Sequence, residues 1–285
     1  MPPIKILYLV GSLYYGGSQT QLVQQATNLD GERFQPFVGV LRVGGQYERS
    51  LHESGIPLVH FRRVIKYDPT VVLRIARFLR EQQIDIIHTW LFSAGVVGRL
   101  AAILARTPIA VHREGLLPLI YKESCYYLGR SRRNRIINRV LRSRTDALIV
   151  QSETQARYSE TVEKYDKSKV KVFPNGLDIT RLRTPGDTRQ RLRQELGASE
   201  GQTIIGMVAN TVPQKNHLLF LQVAEQIVAS GVNVLFVWIG DDVTSNKEFR
   251  TYREGLFRRL EDSPARSHIR YLGYRSDVPE LLTAF

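Results

Sequence analysis

Short apolar runs alternate along this chain with longer segments in which apolar residues recur every three or four positions. Residues 4–10, IKILYLV, predict a buried strand, and GSLYYGGSQ predicts a glycine-rich loop after it. A helix is predicted from Ser18, a good N-cap, through Leu22, Val23 and Ala26 to Leu29. Strands follow at Pro36–Leu41 and at 57–61, the second after a short helix around Tyr47–Ser54. A helix over 69–83 leads to strand Ile84–His88, and one over 94–106 leads to strand Ile109–His112. A basic helical stretch over 122–143 leads to Ala147–Gln151, then a helix over 153–164 to Lys169–Phe173 and the turn Pro174-Asn175-Gly176. Strands and helices alternating at this rate predict a parallel sheet covered on both faces.

From residue 178 the character changes: the chain turns polar, carries Pro185-Gly186 and holds one short helix with few apolar residues. The pattern then restarts with strand 204–209, helix 216–230, strand Val232–Ile239, helix 247–262, strand Ile269–Leu272 and a helix from Asp277. In helix 216–230, Leu218, Leu219, Leu221, Val223 and Ile227 are expected to point inward. The fold class is α/β: a Rossmann-like domain over 1–180, a linker over 181–202, and a partial Rossmann-like domain over 203–285 with about three strands.

The 285 residues, 43% hydrophobic and 24% charged, suffice for two such cores. A net charge of +13 points to an anionic ligand, lipid surface or nucleic acid without choosing between them. The single cysteine, Cys125, forms no internal disulfide, which suits a reducing compartment. The first apolar run is too short for a signal peptide, and no run approaches the roughly 20 residues that span a bilayer. A cytosolic protein is expected.

In doubly wound sheets, ligands sit beyond the carboxyl ends of strands. His88, His112, Glu114, the Ser152 region and Asn175-Gly176 are expected at such ends. The first loop nearly fits two nucleotide fingerprints and fails both. Gly11, Gly16 and Ser18 match G-x-x-x-x-G-K-S/T, but Gly17 stands in place of the lysine. Leu13 occupies the second glycine of G-x-G-x-x-G, and the next strand ends in Arg42 rather than an acidic residue. What remains is a loop whose Gly16-Gly17 backbone can approach a ligand closely, with Ser18 beside it. In the second domain, a polar loop delivers Asn210, Lys215 and Asn216 to the start of a helix. Free N–H groups, a partial positive charge and a lysine there make a phosphate site, unless Lys215 is simply solvated.

Several segments, in order, resemble glycosyltransferase family 4. Val172-Phe173-Pro174-Asn175-Gly176-Leu177-Asp178 resembles the family's V-x-P-N-G-V-D turn, and Gly206 to His217 its V-G-R-x-x-x-x-K-G/N-H loop. Ile239-Gly240-Asp241 resembles I-G-D/E-G, while Tyr271-Leu272-Gly273-Tyr274 and Asp277-Val278-Pro279 resemble F-x-G and D-V-P-x-L. In the first domain Gly16-Gly17 resembles the glycine pair after strand one, and Asp85-Ile86-Ile87-His88 resembles D-V-V-H. The resemblance implies a GT-B architecture, two Rossmann-like domains facing across a cleft, and hexosyl transfer from a nucleotide-diphosphate sugar with retention of configuration. It implies a glycan or lipid-linked acceptor on the first domain, met by Gly16, Gly17, Ser18, His88, Glu114, Asn175 and Gly176. It implies a donor site of Asn210, Lys215, Asn216, Gly240, Asp241, Gly273 and Tyr274 on the second. Lys215 would neutralise charge building on the leaving diphosphate, and His112 resembles a histidine near the reacting sugar in some members. No cofactor is expected, and no cluster has metal-ligand spacing.

Two departures stand out. Asn210 occupies a position where the family often has arginine, and no pair of glutamates matches the family's E-x7-E segment. The chain is therefore expected to be truncated in its donor domain, and a non-catalytic relative that keeps only acceptor or partner binding is the alternative.

His112 and His88 can each be a ligand contact or a histidine satisfied within the core. Cys125, among Tyr121, Tyr126 and Tyr127, reads as structural. Arg132, Arg135, Arg139 and Arg142 share one helix face opposite Ile136, Ile137, Val140 and Leu141. That face is either solvated or docks on anionic lipid at the inner membrane surface. No nucleic-acid motif is recognisable, and nucleic acid is not an expected partner.

Overall fold

The first strand, β1 (Ile4–Val10), is apolar on both faces because it lies inside a sheet covered on both sides. The computed structural model describes residues 2–63, 68–113, 132–177, 179, 187–241 and 247–285. The chain divides into two compact units, and after β7 the second begins in sequence at Leu177.

In the first unit, β1 is followed by α1 (Gly17–Thr27), β2 (Phe34–Val40), α2 (Tyr47–Glu53), β3 (Leu58–His60) and α3 (Thr70–Glu81). Then come β4 (Ile86–Trp90), α4 (Leu91–Ala105), β5 (Ile109–Arg113), α5 (Arg132–Leu141), β6 (Ala147–Val150), α6 (Glu153–Thr161) and β7 (Val170–Val172). The strands form one seven-stranded sheet in the order β3-β2-β1-β4-β5-β6-β7, every pair parallel. Side chains alternate across it. Leu7, Leu9, Ile87 and Ala110 join Val71, Ile75, Ala94 and Ala101 of α3 and α4 in one core. Ile6, Tyr8, Val10 and Trp90 join Leu22, Val23 and Leu51 of α1 and α2 in the other.

Two glycines let α4 lie close to the sheet. A Cβ at Gly98 would stand 2.4 Å from Thr89 Cγ2, and one at Gly95 would stand 2.4 Å from the His112 ring. The buried Arg99 of α4 ties three segments together: its Nε donates to Gly95 O, Nη1 to Tyr165 Oη at 2.9 Å and Nη2 to Asn138 Oδ1 at 2.8 Å.

The second unit holds α7 (Asp187–Glu195), β8 (Thr203–Val208), α8 (His217–Ala229), β9 (Val234–Ile239), α9 (Lys247–Glu261), β10 (Ile269–Gly273) and α10 (Val278–Leu281). Its sheet is parallel in the order β10-β9-β8. The all-apolar β9, VLFVWI, is central and buried along its whole length. Its alternate faces feed two cores, Phe236 and Trp238 with Leu221 and Leu256, and Leu235, Val237 and Ile239 with Leu281.

Four expectations need correction. The stretch 181–202 supplies α7, whose Leu192 is buried with Leu196, just past its end, against Ile204, Leu235 and Val237, because two leucines four residues apart make a sufficient stripe. In α8 Leu221 is buried and Ile227 packs against the same core, as expected, with His217 and Ala224 buried beside them, but Leu218, Leu219 and Val223 are exposed. Ser18 is not an N-cap: Gly16 holds that place, and α1 begins one residue before the serine. In α5, Leu141 is buried, but Ile136 and Val140 are 54% and 67% exposed. Helical pitch carries those two about 100° from Ile137 and Leu141. Residues 122–131 of the expected basic helix, with Cys125, lie outside the described residues.

Candidate functional site

On the first unit, the strands aim two histidines to opposite sides of the sheet. His112 alternates inward with Ala110 toward α4: its Nδ1 lies 2.9 Å from Thr89 Oγ1, and the ring is fully buried against Gly95. His88 faces the α1 side, where its ring sits 5.2 Å from both Tyr8 and Trp90. The guanidinium of Arg113 continues this row, 4.8 Å from the Trp90 ring centroid. Both histidines lie within their strands rather than at the strand ends expected for them.

A groove of about 1020 Å³ opens along this face. It is lined by Tyr8, Ile86, His88, Arg113 and Ile149 from the sheet, by Gln21, Gln24, Gln25, Asn28 and Leu29 of α1 and its end, and by Phe34, Phe173, Pro174 and Gly176. The turn at its rim is clasped twice. Gln21 donates from Nε2 to Gly176 O at 2.5 Å and accepts from Gly176 N at 2.9 Å. Arg113 Nη2 donates to Asn175 Oδ1 at 2.8 Å and to Phe173 O at 3.2 Å.

Burial sets the charges here. It lowers the His88 pKa to about 3, with the nearby charges of Arg113 and His112 adding to the effect, so His88 is neutral at pH 7. Burial also pushes the Tyr8 phenol up to about 12 and lowers Arg113 from its ordinary value. Gly17 faces open space at the start of α1, and a Cβ at Gly16 would meet the Gln19 side chain. Neither of these, nor Ser18, lines the groove. Glu114 lies outside the described residues. Gln21 and Arg113 were missed in the sequence reading. The one signal for Arg113 was strand parity, which places it on the opposite side of its strand from His112; the register of β4 and β5 makes that the side of His88.

On the second unit, three strand ends come together. A 3-10 turn, Pro213–Lys215, follows the loop after β8, and Asn216 then adopts the left-handed region at φ 50° and caps α8 by accepting from Leu219 N. Lys215 is exposed and makes no ion pair with a described residue. Beneath this loop His217 is buried, its ring 4.8 Å from Trp238. Burial, with a smaller push from Lys215, lowers the His217 pKa to about 4 against the opposing influence of the Ala209 and Val212 backbone.

Gly240 ends β9 at φ 119°, where a Cβ would stand 2.1 Å from Ala209 O, so only glycine lets the two loops pass. Its N–H donates to Gly273 O at 2.7 Å, and its carbonyl accepts from Thr211 Oγ1 at 3.4 Å. Asn210, Lys215, Asn216, Gly240 and Gly273 are thus held on adjoining loops, with the half-exposed Tyr274 next in sequence. Asp241 is paired with Arg253 through bonds of 2.7 and 3.1 Å. Among the described residues no group of three or more His, Cys, Asp or Glu side chains could hold a metal ion.

A seven-stranded and a three-stranded parallel sheet in these orders, with glycine-marked strand ends, define a protein of the GT-B class. Anabaena HepE, solved in complex with UDP and glucose, shares the fold with a TM-score of 0.79 at 22% identity, over 99% of this chain and 72% of its own. The UDP-GlcNAc 2-epimerase of Neisseria meningitidis, bound to UDP-GlcNAc, gives a TM-score of 0.61 at 13% identity, over 98% of this chain and 74% of its own. Residues 15–181, more than half of the chain, match the family described as Glycosyltransferase Family 4, and the chain belongs to that family. In sequence it is 25% identical over 232 residues to the Escherichia coli UDP-Gal:alpha-D-GlcNAc-diphosphoundecaprenol alpha-1,3-galactosyltransferase. That match covers 76% of this chain but only 54% of the enzyme, so the chain spans about half the length of this relative.

Proposed function

We propose that this chain carries the machinery for moving a hexosyl group, with retention of configuration, from a UDP-sugar to a lipid-linked glycan acceptor. The observation that carries the reading is the Lys215–Asn216 turn at the start of α8, on a loop whose Ala209 and Thr211 lie against Gly240 at the end of β9. When a sugar leaves a nucleotide diphosphate, negative charge builds on the phosphate that departs. A lysine ammonium with no ion pair among the described residues and the positive end of a 13-residue helix meet that charge without rearrangement. Asn210 adds a neutral donor to this loop. The choice of UDP is supported by the names of the E. coli relative and of the two nucleotide-bound GT-B structures. The lipid-linked acceptor is supported by the same E. coli name. Because both a transferase and an epimerase share this fold, the fold alone does not decide the chemistry.

The reading assigns no metal to the diphosphate, so a chelator leaves the rate unchanged. It also places the protein at the cytoplasmic face of the membrane, with Arg132, Arg135, Arg139 and Arg142 meeting anionic lipid. No described helix is long and apolar enough to cross a bilayer. Arg139 donates to Val162 O, and Arg142 to Glu163 O and Lys164 O, so these two divide their donors between the fold and any lipid.

The test is UDP binding by calorimetry, followed by UDP release from a panel of UDP-sugars. Lys215→Ala should lower kcat by about 100-fold with a smaller change in KM, since the interaction strengthens as charge develops. A chain that binds no UDP would be a non-catalytic relative that retains acceptor or partner binding, the rival reading.

A further inference from the structure

The loop that carries Lys215 rests on a histidine without bonding to it. His217, the first residue of α8, is 1% exposed, and its ring packs 4.8 Å from the Trp238 ring of β9. Neither of its ring nitrogens makes a hydrogen bond of normal geometry with a described residue. His112 of the first unit is equally buried, yet its Nδ1 stands 2.9 Å from Thr89 Oγ1. A buried imidazole with its donor and its acceptor both unused is an incomplete set of interactions.

The loop over the ring supplies what completes it. Ala209 N donates to Ile239 O at 2.9 Å, Val212 N to Asn210 O at 2.8 Å, and Lys215 N to Val212 O at 3.0 Å. With their N–H groups engaged, Ala209 and Val212 offer the ring carbonyl oxygens, and both backbones favour its protonated form as carbonyls do. Burial outweighs them, so at pH 7 the imidazole is neutral and has one N–H to give. Among the described residues Lys215 is the charged side chain that acts on the ring, and its ammonium opposes a second proton there. From β9 the ring meets only the uncharged Trp238. An anion bound at the Lys215 turn offsets that ammonium and draws the loop toward the positive start of α8, where His217 stands. We propose that His217 is a positioning residue of this loop: its ring N–H closes on the carbonyl of Ala209 or Val212 when a diphosphate occupies the turn, and so fixes Asn210 and Lys215 toward the phosphates. The proposal rests on the UDP-sugar reading above and adds to it a residue that acts through the loop and touches no substrate atom.

The experiment titrates UDP into the full chain by calorimetry and follows the histidine rings by nitrogen NMR. In the wild type, saturating UDP should lock the His217 ring in one tautomer, with an N–H that exchanges with water about tenfold more slowly than in the free protein. His217→Phe keeps an aromatic ring on Trp238 and removes both nitrogens, and it should weaken UDP by about 3- to 10-fold, the range for one hydrogen bond between neutral groups. His217→Asn or His217→Gln, whose amide N–H replaces that of the imidazole, should restore part of the affinity. A wild type that binds no UDP overturns this proposal together with the donor reading. UDP binding that leaves the His217 ring signal unchanged overturns this proposal alone, and that measurement decides the matter if the variants do not fold. A folded His217→Phe of wild-type affinity also overturns it, as does a loss of affinity that neither amide repairs.

Discussion

Gly240→Ala places a single methyl group where the second unit has no room for one. The φ of 119° is a region that L-residues adopt at a cost on the order of 1–3 kcal/mol. The new Cβ would also stand 2.1 Å from Ala209 O and 2.7 Å from Ala209 C. Both are backbone atoms, so no side-chain rotation relieves the contact and the loop after β8 must move by about 1 Å. Overpacking of this kind costs about 1–3 kcal/mol more. The sum, roughly 2–6 kcal/mol, is a large part of the stability of a domain this size. The loop that moves also carries Asn210, Lys215 and Asn216, so UDP affinity should fall with stability. Urea unfolding followed by Trp238 fluorescence, with UDP titration by calorimetry, reads both effects. Gly17→Ala is the control, because a Cβ there meets nothing within 4 Å, and it should change stability by less than about 1 kcal/mol. A Gly240→Ala protein with the wild-type urea midpoint and wild-type UDP affinity would refute the close-passage argument.

His217 should make the second unit acid-sensitive. Its folded pKa of about 4 lies below the ordinary 6.5, so the unfolded chain takes up the proton first and stability is lost as pH falls from 6.5 to 4. That loss is about 1.4 kcal/mol per pH unit, and His217→Phe should remove about 2 kcal/mol of the change between pH 7 and pH 5; an unaltered pH profile would contradict this. Gln21→Ala should cost about 1 kcal/mol in the first unit by releasing both hydrogen bonds to Gly176, and amide exchange at 174–176 should quicken, whereas unchanged exchange would show the clasp to be idle. Binding to vesicles should require acidic lipid and weaken with salt, and glutamine at Arg132, Arg135, Arg139 and Arg142 should abolish it. Equal binding to neutral vesicles would reject the electrostatic contact.

Period and composition determined a good deal by themselves. The apolar run IKILYLV, the glycine-rich loop after it and the βα alternation are local properties, and each element forms where its own residues favour it. The apolar β9 could only be a strand covered on both faces. Motif order alone was enough to single out the family, and at Gly240 and Asn216 the motif residue also suits a left-handed backbone. What pairs across the sheet is decided elsewhere. The roles of His88 and His112 could not be separated along the chain, since each is one polar residue in an apolar strand. Sheet register put His112 under Gly95 of α4 and His88 beside Tyr8 and Trp90. The same register set Arg113 on Trp90 and brought Gln21 to Gly176, a contact between residues 155 positions apart that no local pattern encodes. Leucine by leucine, α7 and α8 tell the same story. Whether Leu192 is buried or Leu218 exposed depends on which neighbour a helix face meets, and burial is a property of the packed pair rather than of the helix.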